Sequence, residues 1–127
     1  MIFEHFALNV DQPVEMVDWY VEHCNMEIVR SMDEAPYTHF LADESGRVVL
    51  EVYKNKKAEI LDFEHQHPLE FHFALKVDDA EEEKNRLIEA GATLFEDLKL
   101  DDGSHLVMLR DPFGIPLQLC ERAHPMM

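Results

Sequence analysis

Apolar and polar residues alternate through IFEHFALNV (residues 2–10), a pattern that predicts a strand closed by Asp11 and Pro13. The next stretch, PVEMVDWYVEHC, changes period. Val14, Val17, Val21 and Cys24 fall at helical spacing, and Pro13 suits a first turn, where its missing N–H is not needed. MEIVRSM, YTHFLAD and RVVLEVYK then read as three strands, the last two joined by the turn DESG. The same order follows a second time. LEFHFALKV predicts a strand, DAEEEKNRLIEAG a helix opened by acidic residues and closed by Gly91, and ATLFEDL, SHLVMLR and IPLQLCE three further strands.

The repetition extends to the letters themselves. HFALNVD at 5–11 recurs as HFALKVD at 72–78, an offset of 67 residues in a chain of 127. Two copies make a duplicated module, not a solenoid. The expectation is an α+β fold: one domain, 1–127, made of two β-α-β-β-β modules at about 1–54 and 69–122, with residues 55–68 as connector.

Strand side chains alternate between the two faces of a sheet, so the repeat also sorts residues by face. Phe6, Leu8 and Val10 share one side, as do Phe73, Leu75 and Val77, and both sets suit the cover of a helix. His5 lies on the other side with Ala7 and Asn9, and His72 with Ala74 and Lys76. The offset of 67 carries Glu51, in VVLEVY, onto Gln118, in IPLQLC; each is a polar residue in an otherwise apolar strand. Each half thus offers an imidazole and a carboxylate or carboxamide away from its helix. Together they form an N/O donor set suited to one divalent ion such as Zn, Ni, Co, Mn or Fe, with positions left for water or substrate. A metal would also compensate the charge of a carboxylate on a buried strand.

Charge narrows the partners. Twenty-seven acidic against 11 basic residues give a formal charge of -16, which repels phosphate backbones and anionic lipid and excludes nucleic acid and membrane as expected partners. That acidity serves solubility first and attraction of a cationic ligand second. Cys24 and Cys120 form neither a redox pair nor a disulfide framework, and the start MIFEHFALNV lacks a secretory pattern, so a reduced cytoplasmic setting is expected.

With the paired HFAL strands, Glu51 in VVLEVY and the ending DPFGIPLQL (111–119) in view, the chain resembles the vicinal oxygen chelate superfamily, the glyoxalase/bleomycin-resistance/dioxygenase fold. The resemblance spans essentially the whole chain. It implies two curled, half-open mixed sheets, each with one helix on its outer face, a homodimer, and metal positions at His5, Glu51, His72 and Gln118. Glyoxalase-like relatives usually carry glutamate at the last of these positions, and Gln118 cannot take a proton there, which leaves Glu51 as the expected base.

The expected activity is metal-dependent proton transfer on a small molecule chelated through vicinal oxygens, as a lyase, isomerase or epimerase. A metal-free sequestering protein resembling bleomycin-resistance proteins is the alternative, and an Fe(II) extradiol-type dioxygenase using His5, His72 and Glu51 ranks below it. Tyr53, Arg110, His39 and His105 are candidates for touching substrate, and Arg30 and Arg110 for gripping a carboxylate. His65 and His67 read as solvated loop, Cys120 as a neighbour of Gln118 without a nucleophilic role, and Trp19 and Tyr20 as packing residues.

Overall fold

A computed structural model describes residues 1–127. Eight strands and two helices follow the order the periodicity predicts: β1 Phe6–Asn9, α1 Pro13–His23, β2 Glu27–Ser31, β3 His39–Ala42 and β4 Val48–Tyr53, then β5 Phe73–Lys76, α2 Ala80–Glu89, β6 Thr93–Lys99, β7 His105–Arg110 and β8 Pro116–Glu121. A single 3-10 turn, Phe63–His65, lies between the two sets. No helix is long and apolar enough to cross a membrane. The chain divides into two compact units, Met1–Leu61 and Asp62–Met127.

Each unit holds one four-stranded mixed sheet and one helix. The strand orders are β1-β4-β3-β2 and β5-β8-β7-β6, the same path taken twice. In both, the first strand runs parallel to the fourth, and the other pairs are antiparallel. The duplication holds at the level of register. Phe6, Ala7, Leu8 and Asn9 pair with Leu50, Glu51, Val52 and Tyr53, and Phe73, Ala74, Leu75 and Lys76 pair with Leu117, Gln118, Leu119 and Cys120. Every one of these partners is displaced by the same 67 residues.

Hydrophobic burial fixes which face each helix covers. In the first unit Leu41, Leu50 and Val52 are fully buried together with Met16, Val17 and Tyr20 of α1. Burying each such side chain contributes about 1.5–3 kcal/mol. Pro13, Met16, Val17 and Tyr20, spaced i, i+3, i+4 and i+7, form the covering stripe. Val14 and Val21, expected on that stripe, are exposed instead, because the larger Met16 and Tyr20 bury more apolar surface when turned inward. In the second unit Val107, Leu109, Leu117 and Leu119 are buried, and α2 contributes Leu87. Asp79 caps α2 by accepting the N–H of Glu82 at 2.9 Å.

The expected connector divides between the units, held by a different side chain on each side. Asn9 donates to the carbonyls of Asn55, Ala58 and Glu59 and accepts the N–H of Asn55, which ties residues 55–59 to β1. Arg110 donates to the carbonyls of Phe63, Gln66 and Gly114 at 2.7, 2.6 and 3.3 Å, which ties the 3-10 turn to the end of β7. Phe63 is buried there.

Candidate metal centre

The identical register of β1 on β4 and of β5 on β8 sets, in each unit, a histidine just before the first strand and a polar residue at the middle of the fourth, the latter on the side its helix leaves uncovered. His5 precedes β1 by one residue, and Glu51 lies at the middle of β4 opposite Ala7. Their side chains meet: His5 Nε2 is 3.1 Å from Glu51 Oε2, with the two groups 28% and 19% exposed. Phe40, the β3 partner of Glu51, sets its ring edge-on to His5, with centroids 5.5 Å apart. His5 Nδ1 is buried without a hydrogen-bond partner, since Glu4 Oε1 at 3.4 Å is too poorly aligned to serve.

The second unit repeats the placement with different chemistry. His72 precedes β5 by one residue, and Gln118 lies opposite Ala74. His72 Nδ1 is 2.8 Å from the carbonyl of Pro68. A carbonyl can only accept, so Nδ1 carries a proton and Nε2 is the nitrogen left to ligate a metal. Gln118 Oε1 accepts the thiol of Cys120 at 3.3 Å, and burial pushes that thiol's pKa up, which keeps it protonated as a donor at neutral pH.

The His5 and Glu51 pair of the first unit has the spacing a divalent ion needs. Two ligands at about 2.0–2.2 Å from one metal stand roughly 3 Å apart, and the separation of His5 Nε2 from Glu51 Oε2 matches that bite. In the second unit His72 and Gln118 offer an imidazole nitrogen and an amide oxygen of their own. This is the N/O mixture that borderline divalent metals accept.

The remaining sequence candidates separate by face. Tyr53 shares Glu51's side of β4. His39 pairs with Val52, and His105 follows the face of Val107 and Leu109, so neither lies with the ligand positions; both are buried on the helix-covered side. His39 Nδ1 donates to the carbonyl of Tyr37 at 2.8 Å. Arg110 already spends three of its donors on the carbonyls of Phe63, Gln66 and Gly114, with its guanidinium 5.7 Å from the Phe95 ring centroid. His65 pairs with Asp62 at 2.6 Å, exposed, while His67 packs edge-on to Phe95.

One cluster escaped the sequence reading. Glu81, Asp97 and His105 bring ligand atoms within 4.8 Å of one another, an arrangement able to hold a cation. The ammonium of Lys84 already supplies one, at 2.8 Å from both Glu81 and Asp97. The Lys84 hydrogen bond holds the Asp97 carboxyl below its usual range, and Asp97 in turn raises Lys84. His105 Nε2 completes the group at 2.5 Å from Asp97. Glu81 and Lys84 stand at i, i+3 in sequence, but their meeting with Asp97 depends on a bulge in β6 that alternation alone does not reveal.

Comparison with known proteins places this arrangement. The family model of the Glyoxalase/Bleomycin resistance protein/Dioxygenase superfamily matches residues 2–119. Lactoylglutathione lyase from Agrobacterium tumefaciens has a similar structure (TM-score 0.70, 19% identity, 96% of this chain and 94% of that one). So does TnmS3, an antibiotic-binding protein from Streptomyces sp. CB03234 (TM-score 0.70, 17% identity, 94% of each chain). A mutant of the fosfomycin resistance protein FosX from Listeria monocytogenes, complexed with Mn(II) and 1S,2S-dihydroxypropylphosphonic acid, matches with TM-score 0.73 and 14% identity over 95% of this chain and 91% of that one. Curated protein sequences gave no match. With two β-α-β-β-β units in one register and a family match over nearly its full length, the chain belongs to the Glyoxalase/Bleomycin resistance protein/Dioxygenase superfamily.

Proposed function

We propose that this protein is a divalent-metal-dependent enzyme of the glyoxalase-like type, catalysing proton transfer on a small substrate that presents vicinal oxygens. The observation that carries the reading is the meeting of His5 with Glu51, with His72 and Gln118 at the matching strand positions of the second unit. His5, Glu51, His72 and Gln118 would hold the ion, which when bound supplies Lewis-acid polarisation of the substrate oxygens and lowers the acidity barrier at the adjacent carbon.

The chain's own residues divide the work. His5 and His72 would serve as nitrogen donors and take no part in proton transfer. Glu51 is the one member of the set able to accept a proton, and it would take it from the carbon beside the chelated oxygens and return it to the neighbouring position. Gln118 contributes oxygen or N–H but cannot act as base, and Cys120, donating to Gln118 Oε1, steadies the amide. Tyr53, on Glu51's face, is placed to meet the substrate. Exposed apolar side chains on the edge strands β2 and β6, Ile28, Val29, Leu94, Phe95 and Leu98, support a homodimer.

A metal-free sequestering protein is the second reading, favoured by the charge of -16 and by the shared fold with an antibiotic-binding protein. Solvent deuterium exchange into hemithioacetals and 2-oxo acids, followed by NMR with Mn(II), Zn(II), Ni(II) or Co(II) added, distinguishes the two. Metal-stimulated exchange that drops by at least about a hundredfold in Glu51→Gln supports the enzyme. Exchange that ignores both metal and Glu51 would leave the sequestering reading standing.

A further inference from the structure

The two cross-strand rows that pass through the ligand positions end in opposite charges. In the first unit the row runs Ala7, Glu51, Phe40, Arg30 across β1, β4, β3 and β2. In the second it runs Ala74, Gln118, Met108, Glu96 across β5, β8, β7 and β6. Arg30 reaches this row only because of a bulge. Ile28 pairs with Leu41, then Val29 is passed over and Arg30 pairs with Phe40. Strict alternation from Ile28 would turn Arg30 under the helix, and the extra residue turns it to the side of Glu51 instead. The second unit carries its bulge at the matching place, between Leu94 and Glu96.

Arg30 is also the one arginine left free. Arg47 donates to the carbonyl of Phe3, Arg86 is paired with Glu83, Arg110 holds three carbonyls and Arg122 touches Cys120 Sγ. Arg30 is exposed and has no ion pair or hydrogen bond, in a chain where acidic residues outnumber basic ones 27 to 11. Two strand spacings, roughly 10 Å, separate its Cα from that of Glu51. An arginine side chain is long enough to cover much of that gap, and the half-buried Phe40 between the two positions sets its ring edge-on to His5.

We propose that Arg30 binds an anionic group of the substrate, so that the substrate class is a vicinal-oxygen chelator bearing a second negative charge several bonds from the chelating pair. This rests on the metal reading of the preceding section. The guanidinium offers a planar fork suited to a carboxylate or phosphonate, and Phe40 supplies an apolar bridge between that end and the metal end. The matching place in the other unit's row is taken by Glu96, so only the first unit carries a cation there.

Mn(II) serves as metal and as probe. Its binding to wild type and to Arg30→Ala, read by electron paramagnetic resonance, tests the metal reading and is expected to be equal in both. Titration of the Mn(II)-loaded proteins with 2-hydroxyglutarate and with its neutral 5-amide then tests Arg30. Wild type is expected to prefer the dianion about tenfold, Arg30→Lys to keep part of that preference, and Arg30→Ala to lose it to within a factor of about two. Equal binding of acid and amide by wild type, or an undiminished preference in Arg30→Ala, overturns the assignment while the metal reading stands. Absence of Mn(II) from wild type overturns both, and the first titration shows which has failed.

Discussion

Replacing Gly114 by alanine adds one methyl group where the structure has no space for it. Gly114 closes the turn between β7 and β8 with φ +86°, and a Cβ built there would lie 2.9 Å from Glu64 Cβ, 3.2 Å from Glu64 Cα and 3.3 Å from Glu64 N. Those atoms belong to the 3-10 turn that Arg110 pins through the carbonyls of Phe63 and Gln66, so they cannot swing aside as a long side chain would. The left-handed backbone costs an alanine about 1 kcal/mol, and forcing the two segments apart about 1–3 kcal/mol more. Gly46 provides the control, with φ +78° and nothing within 4 Å of its Cβ position, so that Gly46→Ala meets the backbone cost alone. The gain each alanine makes by stiffening the unfolded chain is the same and cancels between the two variants. Gly114→Ala is therefore expected to be less stable than Gly46→Ala by about 2 kcal/mol, a urea midpoint lower by about 1 M at a typical m-value. Midpoints within about 0.2 M of each other, read by circular dichroism, would refute the idea that the 3-10 turn is rigidly seated on Gly114.

Asp111 is buried and accepts the N–H groups of Phe113 and Ile115 at 2.8 and 2.9 Å, so Asp111→Ala should cost about 2–3 kcal/mol in urea unfolding, with Asp111→Asn markedly milder. Asp97 titrates lower in the folded protein than unfolded, so its contribution is present above the ordinary carboxylate pKa and is lost as pH falls through the depressed folded value. Lys84→Met removes the first cause of that depression, and acid unfolding should then set in at higher pH than in wild type; an unmoved acid limb would show that the cluster is electrostatically inert. Sedimentation velocity should find a dimer that Val29→Glu with Phe95→Glu converts to monomer, and a monomeric wild type would remove the dimer from the account.

Much of this molecule could be read from its letters because the duplication is nearly literal. HFALNVD and HFALKVD fixed both first strands, and one offset carried Glu51 onto Gln118, a correspondence the backbone register reproduces residue for residue. Alternation worked where strands are regular, placing Leu50 and Val52 under the helix and Tyr53 with Glu51. It held for His39 and His105, which alternate with Leu41 and with Val107 and Leu109 onto the helix-covered side. It failed at bulges and loops. The bulges that turn Arg30 and Glu96 toward the ligand rows leave no signature in EIVRS or TLFEDLK. Arg110 was legible as a cation but not as a clasp, since its partners are backbone carbonyls more than forty residues away. Helix α1 shows a different limit, because Met16 and Tyr20 out-compete the valines for the buried stripe by size, which periodicity does not weigh.

The most direct test of the account is the stoichiometry and affinity of Mn(II) or Zn(II) binding to metal-stripped protein, measured for wild type, His5→Ala and His72→Ala. One ion for each His5 and His72 pair is expected, with either substitution weakening it by at least about tenfold. Two independent ions per chain, or affinity that survives the loss of one histidine unchanged, would contradict the claim that the duplicated halves serve a common metal.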